Sequence, residues 1–251
     1  MTFKDLFSGH SEEYSQHRPV YPPELFEYLS SIVSSHETAW DCATGNGQAA
    51  IGLTSYFNKV YATDASEKQI AHAFPHPKIQ YSTALAEKSG LPDSSVDLIT
   101  LATAIHWIQL DKFEREVRRV LKPGGKLAVW NYTRIIINKE ITAILDDYFR
   151  KILGNYWDPK LFDLLNDESL YELPFKKIES PEIPMISYWN FGQVINYLGT
   201  WSGAQKFIKE NNSDPLNLIY EKIKLAWGDE NKIKKINWKY FLRVYDVHYE
   251  F

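Results

Sequence analysis

Between residues 38 and 130, short apolar runs alternate with segments whose apolar residues recur at helical spacing, and few folds accept that rhythm. The runs lie at 38–43, 59–63, 79–83, 96–102 and 126–130. Between them, 48–57 suits a helix, and Ser66 is placed to cap a short helix that stops by Pro75 and Pro77. Residues 111–121 carry Phe113, Val117, Val120 and Leu121 at helical spacing, and Lys122-Pro123-Gly124-Gly125 turns that helix into the fifth run. Ahead of the first run, 22–34 opens on Pro22-Pro23-Glu24 and repeats Leu25, Phe26, Leu29 and Val33, the pattern of a helix with a proline start. Strands joined by crossover helices give a parallel sheet wound in the right-handed sense. Run 96–102 is almost continuously apolar, which fits a strand covered on both faces.

The first run leads into an elbow, Asp41-Cys42-Ala43-Thr44-Gly45-Asn46-Gly47, from which a helix departs. Glycine has no Cβ and tolerates left-handed dihedrals, so a ligand can approach such a turn closely. Asp64 ends the second run, where α/β cofactor folds often put a carboxylate on a ribose hydroxyl pair. Two carboxylates and two glycines converging in this way read as a nucleotide-type cofactor site. Gly45-x-Gly47-x-x-Ala50 also satisfies the dinucleotide fingerprint, so the elbow alone admits NAD. Both aspartates have readings that need no ligand, Asp41 as a turn residue and Asp64 as a cap for the next helix.

After residue 134 the rhythm changes. A helix is expected at 139–152, then an irregular aromatic stretch, a strand near 176–188, helices between 190 and 228, and a last strand at 238–249. The 8 Trp, 16 Tyr and 13 Phe are dense in this half, where they can pack a core or line a ligand pocket. No linker rich in Gly or Ser separates the halves, so 1–251 reads as one domain. Within it, 1–35 is an N-terminal helical lid, 36–135 a cofactor-binding core, and 150–235 a helical cap around the late strands.

Bulk properties remove other classes. A net charge of −4 argues against reliance on phosphate attraction, so no nucleic-acid partner is expected. No apolar run approaches the roughly 20 residues that span a bilayer, and the N-terminus lacks a signal peptide's apolar core, so a cytoplasmic protein without membrane attachment is expected. The single cysteine, Cys42, allows no internal disulfide and reads as core packing. No metal is expected.

Taken together, several segments resemble the class I S-adenosylmethionine-dependent methyltransferases, in particular the type 11 group related to trans-aconitate methyltransferase. Asp41 to Gly47 resembles the family's first motif, Asp64 its ribose-binding acid, and Ala86-Glu87 with Leu91-Pro92 its adenine-side loop. Residues 95–100 with Ala104-Ile105-His106-Trp107 are similar to its fourth strand and following turn, and Arg119 to Gly125 to the helix-turn before its fifth strand. Tyr14 to Pro22 resembles the element that closes over the cofactor, and Tyr197 to Ser202 a cap segment near the substrate. The likeness is dense over 10–132 and thin beyond 150. Leu85 stands where many relatives carry an acid, which leaves adenine recognition to Glu87 and the backbone at Ala86.

The resemblance implies a doubly wound, mostly parallel seven-stranded sheet with an antiparallel last strand and a helical cap. It also implies S-adenosylmethionine as cofactor, held by Tyr14, Arg18, Asp41, Gly45, Asn46, Gly47, Asp64, Ala86, Glu87 and Ala102. The expected reaction is methyl transfer to a small molecule, with a carboxylate oxygen as one acceptor, by a monomer or homodimer. An NAD-dependent oxidoreductase and a noncatalytic cofactor-binding protein are the alternatives. His106, after the fourth strand, can act as a base, bind substrate, or pack against Trp107. Tyr132 and Trp201 are the other candidate catalytic residues.

Overall fold

The apolar runs hydrogen-bond into one sheet in the computed structural model, which describes residues 18–247. Tyr14 therefore lies outside the described residues. Strands β1 (Thr38–Cys42), β2 (Lys59–Asp64), β3 (Ile79–Thr83), β4 (Val96–Ala102) and β5 (Leu121–Ile136) pair in parallel in the order β3-β2-β1-β4-β5. Beyond them come β6 (Lys176–Ile178), β7 (Met185–Trp189) and β8 (Lys234–Asp246), with β8 antiparallel to β5 and the two short strands antiparallel to β8.

The single strand expected at 176–188 is thus two, and among the described residues the sheet has eight strands rather than seven. Pro181 and Pro184 fall in the gap between them, and neither has an N–H to give to the ladder. β5 is also longer than expected. Leu121 already pairs with Val96, and the next pair along is Lys126 with Leu98, so Lys122 to Gly125 bulge out between the two. Gly124 supplies a φ of +82°, and a Cβ on Gly125 would lie 2.8 Å from the Asp97 carbonyl oxygen.

Apolar residues on each face of β4 explain why the strand reads as a continuous run. Leu98 belongs to one core layer with Leu25, Leu53 and Trp130, whereas Ile99 and Leu101 join Trp40, Phe113 and Leu127 on the other. On the first face α1 (Pro23–Ser31) lies across α2 (Gln48–Leu53), because Gly52 has no side chain: a Cβ there would stand 2.2 Å from the Phe26 ring. Leu25 and Leu29 of α1 are fully buried, each worth about 1.5–3 kcal/mol of apolar transfer. Ser66 caps α3 (Glu67–Ala71) by accepting from the Gln69 N–H at 3.4 Å. The opposite face is covered by α4 (Leu110–Val120), whose Phe113, Val117 and Val120 are buried as their spacing predicts.

The later half builds a wall at the carboxyl ends of β4 and β5. α5 (Lys139–Asp147) runs into a wide turn closed by the Leu153 N–H on the Tyr148 carbonyl, 2.9 Å, followed by α6 (Pro159–Asn166). α7 (Phe191–Gly199) starts from a reciprocal capping box between Asn190 and Gln193. α8 (Ser202–Asn211) and α9 (Tyr220–Trp227) complete it. An edge-on ring contact ties this wall to the sheet, Tyr197 with Trp238 at 4.8 Å; Tyr197 also meets Trp201 at 5.8 Å within the wall, and Tyr132 meets Trp238 at 5.7 Å within the sheet.

Candidate active site

Parallel strands aim their carboxyl ends at one edge of the sheet, and two connected compartments open there. The larger, about 600 Å³, is lined by Gly45 and Asn46 of the elbow, Asp64 at the end of β2 and Ser66 just beyond it, Ala86 and Glu87 after β3, and Ala102 and Thr103 at the end of β4. Ala43 (φ +52°) and Thr103 (φ +56°) hold left-handed dihedrals that residues with a Cβ seldom adopt. Both line this compartment, which puts local backbone strain where the two central strands break off.

Asp64 is held by two backbone donors, with Gly45 N–H on Oδ2 at 2.9 Å and Ser66 N–H on Oδ1 at 2.8 Å. One carboxylate thus fixes both the elbow and the turn into α3. Glu87 accepts from the Gln109 N–H at 2.7 Å, and two residues on, Ser89 donates to Glu116 through its N–H at 2.8 Å and its hydroxyl at 2.5 Å. Glu116 is buried on α4 and also receives the Arg119 guanidinium at 2.6 Å, so the loop carrying Ala86 and Glu87 is anchored to that helix. Glu116 carries no distinctive mark in the sequence; only helical spacing three residues ahead of Arg119 hinted at the pair.

The two glycines do different work. Gly45 (φ +58°) lines the compartment, and a Cβ there would meet nothing within 4 Å. Gly47 (φ +92°) does not line it; a Cβ there would stand 2.2 Å from the Tyr81 hydroxyl, which donates to the Phe74 carbonyl at 2.8 Å. Asp41 is likewise not in the wall. It is fully buried under the elbow and accepts from Thr44 at 2.5 Å and Thr100 at 2.7 Å. Burial raises its pKa to about 6 against the pull of those two hydroxyls.

Arg18, Thr103, Trp107 and Tyr132 line both compartments and so mark their junction. Arg18 donates to the Tyr132 hydroxyl at 2.8 Å and the Thr200 carbonyl at 3.2 Å, and lies 5.4 Å from the Tyr197 ring centroid. It thereby joins the chain's amino-terminal side to β5 and to α7. The Tyr21 hydroxyl sits 3.3 Å from that of Thr103.

The smaller compartment, about 240 Å³, takes His106 and Trp201 into its wall with Phe149, Arg150, Trp157, Arg134 and Lys239. Burial, helped by the charge of Lys160, pushes the pKa of His106 down to about 3. The ring lies 4.6 Å from that of Trp107, and Nδ1 has no hydrogen-bond partner among the described residues. A neutral imidazole can orient a ligand, but so weak a base takes up little proton near neutrality. Arg134, Arg150 and Lys239 escaped the sequence reading because only the pairing of β5 with β8 and the wide turn after α5 bring them together.

The larger compartment fits a nucleotide-bearing cofactor. Carboxylates at Asp64 and Glu87 can accept from hydroxyl and amino groups, the elbow presents bare backbone at Gly45, and the buried Asn46 Nδ2 has no partner among the described residues. Among those residues no helix is long and apolar enough to cross a membrane. The family pattern described as "Methyltransferase domain" matches residues 40–129. A Dictyostelium discoideum protein named as a methyltransferase is 32% identical, over 96% of this chain and 94% of its own length. A Saccharomyces cerevisiae protein named as an S-adenosylmethionine-dependent methyltransferase is 26% identical, over 92% and 93%. The solved structure from Anaeromyxobacter dehalogenans, described as a type II methyltransferase, superposes with a TM-score of 0.85 at 33% identity, covering 92% of this chain and 98% of that one.

Proposed function

Because this chain belongs to the class I S-adenosylmethionine-dependent methyltransferases, we propose that it transfers the methyl group to a carboxylate oxygen of a small molecule held in the smaller compartment. The observation that carries this reading is the pair of compartments meeting at Arg18, Thr103, Trp107 and Tyr132. Relatives of this kind leave the NAD-dependent alternative without support, and the dinucleotide-like glycine spacing reflects a turn that two families share. The relatives reported above do not carry the resemblance down to trans-aconitate methyltransferase in particular.

The cofactor supplies an already activated methyl group on a sulfonium. The chain's own work is to bind, align and exclude water. Asp64 is placed to accept from the ribose hydroxyls, the Ala86–Glu87 loop flanks the base, and Gly45 and Asn46 face the amino-acid end. Asp41 acts from below, by holding Thr44 and Thr100 so that the elbow keeps its shape. Gly47 acts by admitting Tyr81. Arg18 and Tyr132 stand at the junction where the two reactants must meet, and Trp201 shapes the acceptor side.

A carboxylate is ionised at neutral pH and needs no base, which agrees with the weak basicity of His106. His106 then orients the acceptor. The test is transfer from S-adenosyl-[methyl-3H]methionine to a set of small carboxylic acids, the ester identified by its cleavage with hydroxylamine. With His106→Ala, turnover falls but keeps the wild-type pH profile between pH 6 and 9. Activity that appears only above a pKa removed by this substitution would restore a base, and label recovered only on amines would exclude the carboxylate.

A further inference from the structure

Resting on the carboxylate reading, we propose that the acceptor is a hydroxy acid whose hydroxyl donates to Asn131, which makes Asn131 a specificity-determining residue of the smaller compartment. Asn131 lines that compartment from β5 and is only 1% exposed.

Alternation along β5 places it. Leu127 and Val129 join the core layer that holds Leu101 and Ile105, and Asn131 is the next residue on that side of the strand. An apolar side chain would continue the layer, yet the chain puts a carboxamide there. Ala102 pairs with Trp130, and the Thr103 N–H donates to the Trp130 carbonyl at 2.7 Å, so Asn131 sits where β4 and β5 end their pairing. Thr103 and Tyr132, to either side of that point, line both compartments, and Asn131 therefore stands beside the junction.

The two polar ends of its side chain are distinguishable. Nδ2 donates to the Tyr132 carbonyl at 3.0 Å, which fixes that end as the nitrogen, since an oxygen there would face another oxygen. The other end, Oδ1, is buried and has no hydrogen-bond partner among the described residues. A buried oxygen left without a donor weakens the fold, so the missing donor comes from what enters the compartment.

A carboxylate cannot be that donor, because it offers only lone pairs. The acceptor must bring an O–H or N–H besides its reacting group. Burial already keeps the neighbouring His106 neutral, and it disfavours an ammonium in the same way. A hydroxyl is neutral and serves Oδ1 without that penalty. With Asn131 beside the junction, the hydroxyl belongs near the carboxylate, as in a 2-hydroxy acid.

In the transfer itself a carboxylate oxygen forms the new O–C bond with its lone pair as the S–C bond breaks, and that bond's electrons stay on sulfur. Anion and sulfonium become a neutral ester and a thioether, and the hydroxyl keeps its proton.

The test compares each enantiomer of mandelate with phenylacetate, α-fluorophenylacetate and phenylglycine, and 2-hydroxyhexanoate with hexanoate, as acceptors of label from S-adenosyl-[methyl-3H]methionine with the full chain. Fluorine replaces the hydroxyl without being able to donate, and phenylglycine puts an ammonium in its place. In at least one series a hydroxy acid should exceed its partners about 30-fold in kcat/KM, with the label released by hydroxylamine as an ester. In Asn131→Leu that ratio should fall to about one, a change that a merely structural role would not produce. The wild-type ratios decide the matter if the variant does not fold. Hydroxylated and deoxy acids taking label equally, as when water serves Oδ1, overturns the inference and leaves the carboxylate reading standing. A ratio that survives in Asn131→Leu does the same. Label that resists hydroxylamine marks methylation of the hydroxyl and overturns both, as does the absence of label on every acid.

Discussion

Replacing each elbow glycine by alanine separates what the turn does for the fold from what it does for the ligand. At Gly47 the new Cβ would lie 2.2 Å from the Tyr81 hydroxyl and 3.1 Å from the ring carbon that bears it. The ring cannot simply swing away without giving up its bond to the Phe74 carbonyl. Forcing a methyl into filled space costs about 1–3 kcal/mol, and the left-handed backbone adds about 1–2 kcal/mol. The loss of unfolded-state freedom returns about 0.4–1 kcal/mol. Gly47→Ala should therefore lose about 1–4.5 kcal/mol of stability. At Gly45 the clash is absent, so the left-handed penalty is nearly offset and about 0.5 kcal/mol is lost. The methyl would, however, stand in the wall of the cofactor compartment, and affinity for S-adenosylhomocysteine should fall at least about 30-fold, roughly 2 kcal/mol. Urea unfolding and calorimetric titration with S-adenosylhomocysteine read the two effects independently. Gly47→Ala with Tyr81→Phe should regain about 1–2 kcal/mol by removing the closest contact. The reasoning is refuted if Gly47→Ala is as stable as wild type, or if Gly45→Ala binds the ligand normally.

Two further outcomes follow from the same site. His106 is neutral in the fold down to about pH 3, whereas the unfolded chain takes up a proton below its ordinary pKa of 6.5, so stability is lost as pH falls through that window. The loss is about 2 kcal/mol by pH 5; His106→Gln should abolish that share, measured as the difference in urea stability between pH 7.5 and 5, and an unchanged difference would contradict the buried, neutral ring. Asp64→Ala removes the acceptor of the Gly45 and Ser66 N–H groups, so affinity for S-adenosylhomocysteine should drop about 100-fold, and wild-type affinity by calorimetry would disprove the ribose role.

What the sequence determined by itself was everything encoded within a few consecutive residues. The five parallel strands, the helix faces with Phe113, Val117 and Val120, the Ser66 cap and the elbow each depend on local spacing, turn chemistry or the dihedral freedom of glycine. A nucleotide-type cofactor site followed from them, because strand ends in a parallel sheet share one edge, whereas S-adenosylmethionine itself came from the family resemblance. Even the splitting of the expected strand at 176–188 was written in Pro181 and Pro184, although their effect depends on lying opposite β8.

Only the tertiary structure decided roles that turn on which side chains face each other. Gly47 looked like a ligand-approach residue until Tyr81, from a different strand, was found against it. Asp41 and His106 were read from type and position, yet their character comes from burial, which raises the pKa of one and lowers that of the other. Arg134 and Lys239 stand more than a hundred residues apart in sequence and meet because β8 runs antiparallel beside β5. Solvent exclusion and long-range register are properties of the packed chain, so no window of sequence carries them.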